Sequence, residues 1–228
     1  MADGGQVVGG AATADIVQSG TEDTLGWRDK RTLPRHLREM LALEDFEAVA
    51  RRRLPRPIYG YVSGGVETNA SLRANRAVFD EIAFVPKMLY DTSMRTLSTT
   101  LFGQTYAAPF GLAPMGGSSL AAYQGDIVLA RAVAGANLPM ITSGASLTAL
   151  EKVRQAGRTS WFQPYLPGED PVIAALVDRA ARAGFDTLVL TVDVQVPSNR
   201  ENNVRSGYNS PLRPTPRLAS DCMIQPRW

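Results

Sequence analysis

The sequence holds one cysteine, Cys222, and one histidine, His36, in 228 residues. A single cysteine excludes an internal disulfide framework and any zinc site built from a cysteine cluster. A single histidine excludes multi-histidine metal centres and leaves one candidate for imidazole base chemistry, so no metal is expected. Lysine is scarce too, occurring only as Lys30, Lys87 and Lys152. Charge of one sign is also lacking: 24 Lys+Arg stand against 22 Asp+Glu, a net +2. That balance gives no general reason to expect nucleic acid or an anionic membrane surface as partner. No apolar run approaches the roughly 18 residues that a bilayer span needs. The N-terminus has no basic stretch followed by an apolar core, so secretion is not indicated and a reduced, cytoplasmic setting is expected. Neither GxGxxG after a strand pattern nor GxxxxGK[ST] occurs, which leaves Rossmann and P-loop nucleotide sites without support.

What remains is the composition of a soluble globular chain, 44% hydrophobic and 20% charged, long enough for one large domain or two small ones. Residues 1–35 are rich in Gly, Ala, Ser and Thr without an apolar period, and are expected to form a disordered tail ahead of a domain covering 36–228. Leu43, Phe46, Val49 and Ala50 share one face of a helix that Pro55 and Pro57 stop. A second helix fits Ser71 to Phe79, with Ser71 as N-cap and Leu72, Val78, Phe79 and Ile82 facing inward. The cluster Arg51, Arg52, Arg53 and Arg56 lacks the interleaved aromatics of a nucleic-acid platform and reads as a solvated helix end. Runs over 97–102 and 105–109 flank Gly103-Gln104 as a hairpin.

Beyond the hairpin the pattern alternates. Strands are expected at 110–113, 139–142, 160–165 and 187–192, with helices at 126–136, 147–156 and 171–183. Gly157 and Gly184 serve as C-terminal stops. Short apolar strands alternating with helices predict an α/β fold with a parallel sheet. Spacing alone fits half of an eight-fold barrel or an open four-stranded sheet equally. In both, ligands gather at the carboxyl ends of the strands. Those ends carry Ala113, Pro114, Met115, Gly116 and Gly117, then Ser143 and Gly144, then Gln163 and Tyr165, then Thr191 and Asp193. Hydroxyls and an amide on one rim suit the polar edge of a heterocycle; the plainer alternative is that they cap neighbouring loops.

Several ordered stretches add a resemblance. IYGYVSGGVETNASLRANRAVFDEI, LAPMGG, ITSGAS, WFQPYL and LVLTVDV followed by NRE resemble the FMN-dependent 2-hydroxy acid dehydrogenases and oxidases, the family of glycolate oxidase, flavocytochrome lactate dehydrogenase and mandelate dehydrogenase. The resemblance implies a TIM (β/α)8-barrel, here about its first four βα units preceded by a helical segment and a β-hairpin. It implies FMN as cofactor and oxidation of a small, lactate-like L-2-hydroxy acid to the 2-keto acid. Residue by residue, Tyr61 matches the tyrosine that contacts the substrate carboxylate, and Tyr165 the catalytic tyrosine that bonds the substrate. Arg200 matches an arginine lining the substrate entrance. Ala113, Pro114 and Met115 match the turn whose backbone meets the flavin ring. Ser143, Gln163 and Thr191 match flavin-contacting side chains, with Gln163 on the pyrimidine side.

Members of that family run about twice as long. Their further half supplies a lysine at the flavin, the catalytic histidine, the carboxylate-gripping arginine and the loops that bind the FMN phosphate. The sequence ends at Trp228 within a loop resembling the lead into a fifth strand. His36 lies upstream of the matching region. The resemblance therefore implies weak FMN binding, no turnover by this chain alone, and exposed sheet edges prone to self-pairing. A separately encoded second half, a homo-oligomer, a non-catalytic half-barrel remnant and a self-associating module are the alternatives it leaves open.

Overall fold

The computed structural model describes residues 34–166, 168–192, 196–213 and 215–224, with the side chains of His36 and Arg217 outside the description. The expected disordered tail and the expected roles of His36 and Asp193 thus lie almost wholly outside the described residues. The chain divides into one unit up to Arg52 and a second from Arg53.

In the first unit a 3-10 turn, Arg35–Leu37, precedes helix α1, Asp45–Arg53. The Asp45 carboxylate accepts the backbone N–H groups of Leu41 and Ala42 at 2.7 and 2.9 Å. Those two bonds hold its carboxyl below the usual aspartate range and fix the turn that opens the helix. The apolar stripe expected on α1 is present in spacing, yet none of its residues is buried.

The second unit starts where the sequence reading saw only a stop. Pro57 occupies the first turn of a further helix, α2, Arg56–Ser63. There proline is favoured, because its missing N–H would have no intrahelical partner. Helix α3, Ala70–Ala77, continues into a 3-10 turn, Val78–Glu81. Its N-cap is Asn69, in left-handed backbone, and not Ser71. The Asn69 side chain turns back to accept the Gly65 N–H at 2.9 Å. Leu72, Val78, Phe79 and Ile82, expected to face inward, are exposed. The hairpin pairs β1, Thr99–Leu101, with β2, Gln104–Tyr106, antiparallel. Its turn is Phe102-Gly103, one residue earlier than expected, and both residues have positive φ, as a two-residue hairpin matching strand twist requires.

The parallel array follows. Helices α4, Ser118–Ala121, and α5, Gly125–Gly135, lead to β3, Met140–Ser143; α6, Leu150–Ala156, leads to β4, Ser160–Gln163; α7, Asp170–Arg182, follows. β3 and β4 pair in parallel, Met140 opposite Ser160 and Ser143 opposite Gln163. The expected first and fourth strands appear as single parallel bridges, Leu112 to Met140 and Phe162 to Leu188. The order of these four positions is therefore sequential, as in successive right-handed βα units. Met140 packs with Ala130 and Val153, and Phe162 with Leu150, Ala180 and Phe185. Alternation along the strands then puts Ile141, Ser143, Trp161 and Gln163 on the opposite face.

Gly184 has φ +92 and closes α7 as expected. Gly157 is extended, φ −147; its glycine is needed because a Cβ there would overlap the Ala130 carbonyl. Helices α8, Glu201–Ser206, and α9, Pro216–Ile224, complete the described chain. Cys222 is a half-buried free thiol on α9.

Candidate functional site

Parallel pairing brings Ser143 and Gln163 side by side at the carboxyl ends of β3 and β4. Both are buried, Gln163 with 1% of its surface exposed. Ser143 Oγ donates to Gln163 Oε1 at 3.3 Å, and Gln163 Nε2 donates to the Pro164 carbonyl at 2.8 Å. Ser143 Oγ also accepts the Ala145 N–H at 3.1 Å, which fixes the start of the loop leaving β3. Gly144 lets that loop pass β4: a Cβ there would stand 2.9 Å from the Gln163 carbonyl and 3.0 Å from the Tyr165 N–H nitrogen.

Three cavities hold most of the sequence-predicted residues. Ser143 and Tyr165 line one of about 250 Å³ with Ser146, Thr148 and Arg179, and the Tyr165 ring is exposed beside it. Tyr61, Met115 and Arg200 line another, about 460 Å³, whose wall also includes Gly116 from the strand-one turn, Leu120 from α4, and Val128 and Leu129 from α5. Ala113 lies in a third, about 320 Å³, against Leu101, Ile141 and Trp161 on the face opposite the helices. Pro114 sits half-buried between Ala113 and Met115, and Thr191 is exposed on the fourth strand position.

Arg200 is engaged within the protein. Its Nη2 donates to the carbonyls of Tyr61 and Gly64, each at 3.0 Å, capping the carboxyl end of α2, where cations oppose the helix dipole. The guanidinium carbon also lies 4.7 Å from the Tyr61 ring centroid, a cation–π distance. Tyr208 stacks on Tyr61 with centroids 4.3 Å apart and planes 16° from parallel. Burial, then the adjacent Tyr61, pushes the Tyr208 phenol above its ordinary value, with Arg200 opposing.

Two groups at this rim escaped the sequence reading. Tyr208 gave no local signal, because its partner lies far away in the chain. Asp126 reads in sequence as a first-turn acid complementing the α5 dipole. In the structure it is 2% exposed and accepts the hydroxyls of Ser146 and Ser119. The described residues contain no group of three or more His, Cys, Asp or Glu placed to hold a metal ion. None of the described helices is long and apolar enough to cross a membrane.

Comparison with known proteins identifies the family. The model of the family described as FMN-dependent dehydrogenase matches residues 50–228. An L-lactate dehydrogenase of Xanthomonas campestris pv. campestris (strain B100) is 36% identical over 188 residues, 82% of this chain and 48% of that protein. The crystal structure of the monotopic membrane protein (S)-mandelate dehydrogenase superposes with a TM-score of 0.75 at 32% identity, over 81% of this chain and 50% of that one. A mandelate oxidase variant solved with a C4a-OH-FMN adduct superposes at 0.69 and 33% identity, over 72% of this chain and 50% of its own. The chain spans about half the length of the curated relatives it matches. Matched by the family model over most of its length, the chain belongs to the FMN-dependent dehydrogenase family.

Proposed function

We propose that this chain forms part of an enzyme that oxidises a small, lactate-like L-2-hydroxy acid to the 2-keto acid with FMN, and that its four parallel positions are successive units of an eight-fold barrel. The Ser143–Gln163 pair carries the reading: two buried, hydrogen-bonding side chains facing one another at a strand-end rim. Gln163 Nε2 retains a second N–H beyond its bond to Pro164, and the Ser143 hydroxyl can rotate from Gln163 Oε1 to a ligand. The rotation frees an amide acceptor beside an amide donor, the set that a flavin pyrimidine edge requires. Gly116 and Gly144 let the strand-end loops pack tightly around this pair, since Cβ atoms there would meet Ala145 and Gln163.

In this reading the backbone of Ala113, Pro114 and Met115 supports the ring face, and Thr191 contacts it from the fourth strand position. Tyr61 and Tyr165 donate hydroxyls to the substrate carboxylate and its 2-hydroxyl, while Arg200 holds Tyr61 and adds positive charge at the entrance. Bound FMN supplies the redox chemistry, taking up the hydride equivalent from carbon 2.

A visible absorption titration with FMN tests the reading. Binding is expected to perturb the flavin bands, weakly, and Gln163→Leu is expected to abolish the perturbation. An FMN spectrum unchanged at high protein concentration would remove the flavin assignment. L-lactate is expected to leave bound flavin coloured, because no described residue is placed as the base at carbon 2; bleaching would show that this chain completes the reaction.

A further inference from the structure

We propose that Asp126 is a positioning residue that clamps the two rim loops on which flavin contact depends; the proposal rests on the flavin reading above. The loop after Met115 and the loop after β3 come from different βα units, and few backbone bonds join them. One is Gly117 N–H to the Ala145 carbonyl, at 3.2 Å. Side-chain bonds complete the connection, and two of them converge on one carboxylate oxygen. Asp126 Oδ2 accepts Ser146 Oγ from the second loop at 2.7 Å and Ser119 Oγ from α4, directly after the first loop, at 3.3 Å.

The network extends beyond these two bonds. Thr148 Oγ1 lies 3.2 Å from Ser119 Oγ. With the Ser119 proton directed at Asp126, Thr148 is the donor there, while the Ser146 hydroxyl has both Asp126 Oδ2 at 2.7 Å and the Thr148 carbonyl at 3.2 Å as acceptors. Thr148 N–H donates to Ser146 Oγ at 3.0 Å, and Ser146 N–H donates to the Ser143 carbonyl at 3.0 Å. The chain of bonds therefore ends on the residue that pairs with Gln163. Asp126 suits the role because its carboxylate only accepts, so a serine from α4 and one from the second loop can converge on it. It stands in the first turn of the 11-residue α5, where the helix dipole favours negative charge. Gly125 beside it is buried, and a Cβ there would stand 2.8 Å from the Ser118 carbonyl, so the start of α5 is seated directly against the start of α4.

Amide hydrogen exchange on the full chain, read with an FMN fluorescence titration, tests this. In Asp126→Asn and Ser146→Ala, the amides of 117 and 145–148 are expected to exchange about tenfold faster while β3 and β4 keep wild-type rates. Ser146→Thr, which retains the hydroxyl, is expected to keep wild-type rates throughout. FMN binding is expected to weaken by about the same factor in the first two variants only. Equal acceleration in rim and sheet would reduce Asp126 to a general stabilising group, and unchanged rim rates would remove the clamp; either overturns the proposal. So would a loosened rim that binds FMN as tightly as wild type. If Asp126→Asn does not fold, the contrast between Ser146→Ala and Ser146→Thr decides by the same criteria. A rim that loosens as expected in a chain whose wild type takes no FMN upholds the clamp and overturns the flavin reading instead.

Discussion

Gln163 is a large polar side chain with almost no exposed surface, so its bonds must be met inside the protein. Truncation to alanine leaves the Ser143 hydroxyl without its acceptor and opens a void beside it. Gln163→Ala is therefore expected to cost about 1–3 kcal/mol in denaturant unfolding; a cost near zero would mean that the rim relaxes freely. Tyr208 makes a pH-dependent contribution of known sign. Its phenol ionises higher in the fold than in the unfolded chain, because burial disfavours the phenolate. The stabilisation is complete below the ordinary value of 10.0 and is lost as pH rises through the raised, folded value. Tyr208→Phe is expected to delete a phenol ionising above pH 10.0 from an ultraviolet absorbance titration and to flatten the alkaline loss of stability. A deleted phenol that ionises at or below pH 10.0 would refute the burial argument.

Among the elements, β3, β4, α5 and α7 were legible in the sequence, because apolar period and length agreed with the packing each received. The hairpin was legible apart from its turn, where Phe102 takes a positive φ that its residue type would not suggest. α2 was hidden: Pro55 and Pro57 read as a stop, although proline in a first turn starts helices equally well. The inward faces expected on α1 and α3 failed for another reason. Periodicity reports which side of a helix is apolar, not whether anything covers it. Of the candidate site, Ser143 and Gln163 could be located at strand ends from strand–helix alternation alone. Asp126, Tyr208 and the capping bonds of Arg200 could not, since each depends on a partner distant in sequence. The close approach of α2 and α8 is the clearest of these tertiary effects. A Cβ at Gly60 would overlap Ser206 Cβ, one at Gly64 would overlap the Asn202 side chain, and Asn202 Nδ2 donates to the Gly60 carbonyl at 2.5 Å. Gly60→Ala is expected to destabilise by about 1–3 kcal/mol through overpacking. Pairing it with Ser206→Gly, which removes the atom it meets, should return part of that loss. If the two effects simply add in denaturant unfolding, the helices are not as close as described.

At the scale of the whole molecule, helix cover is uneven across the sheet. Met140 and Phe162 point into packed clusters with α5, α6 and α7. At the fourth position Leu190 is 59% exposed and Val192 81% exposed, and the strand's bridge to Phe162 uses only one of its two edges among the described residues. The segment between α3 and the hairpin adds Phe84, Val85, Met88 and Leu89, all exposed. An open strand edge beside uncovered apolar side chains is a template for pairing with another chain. The chain alone is therefore expected to self-associate with rising concentration in sedimentation velocity. Leu190→Lys places a charge on the uncovered face while touching neither packed cluster, since Leu190 belongs to neither. It should shift the distribution toward monomer and leave the unfolding midpoint unchanged. Association that persists undiminished in this variant would move the sticky surface away from the fourth strand, to the exposed segment ahead of the hairpin. A wild-type chain that stays monomeric at all concentrations would show that neither surface is accessible enough to pair.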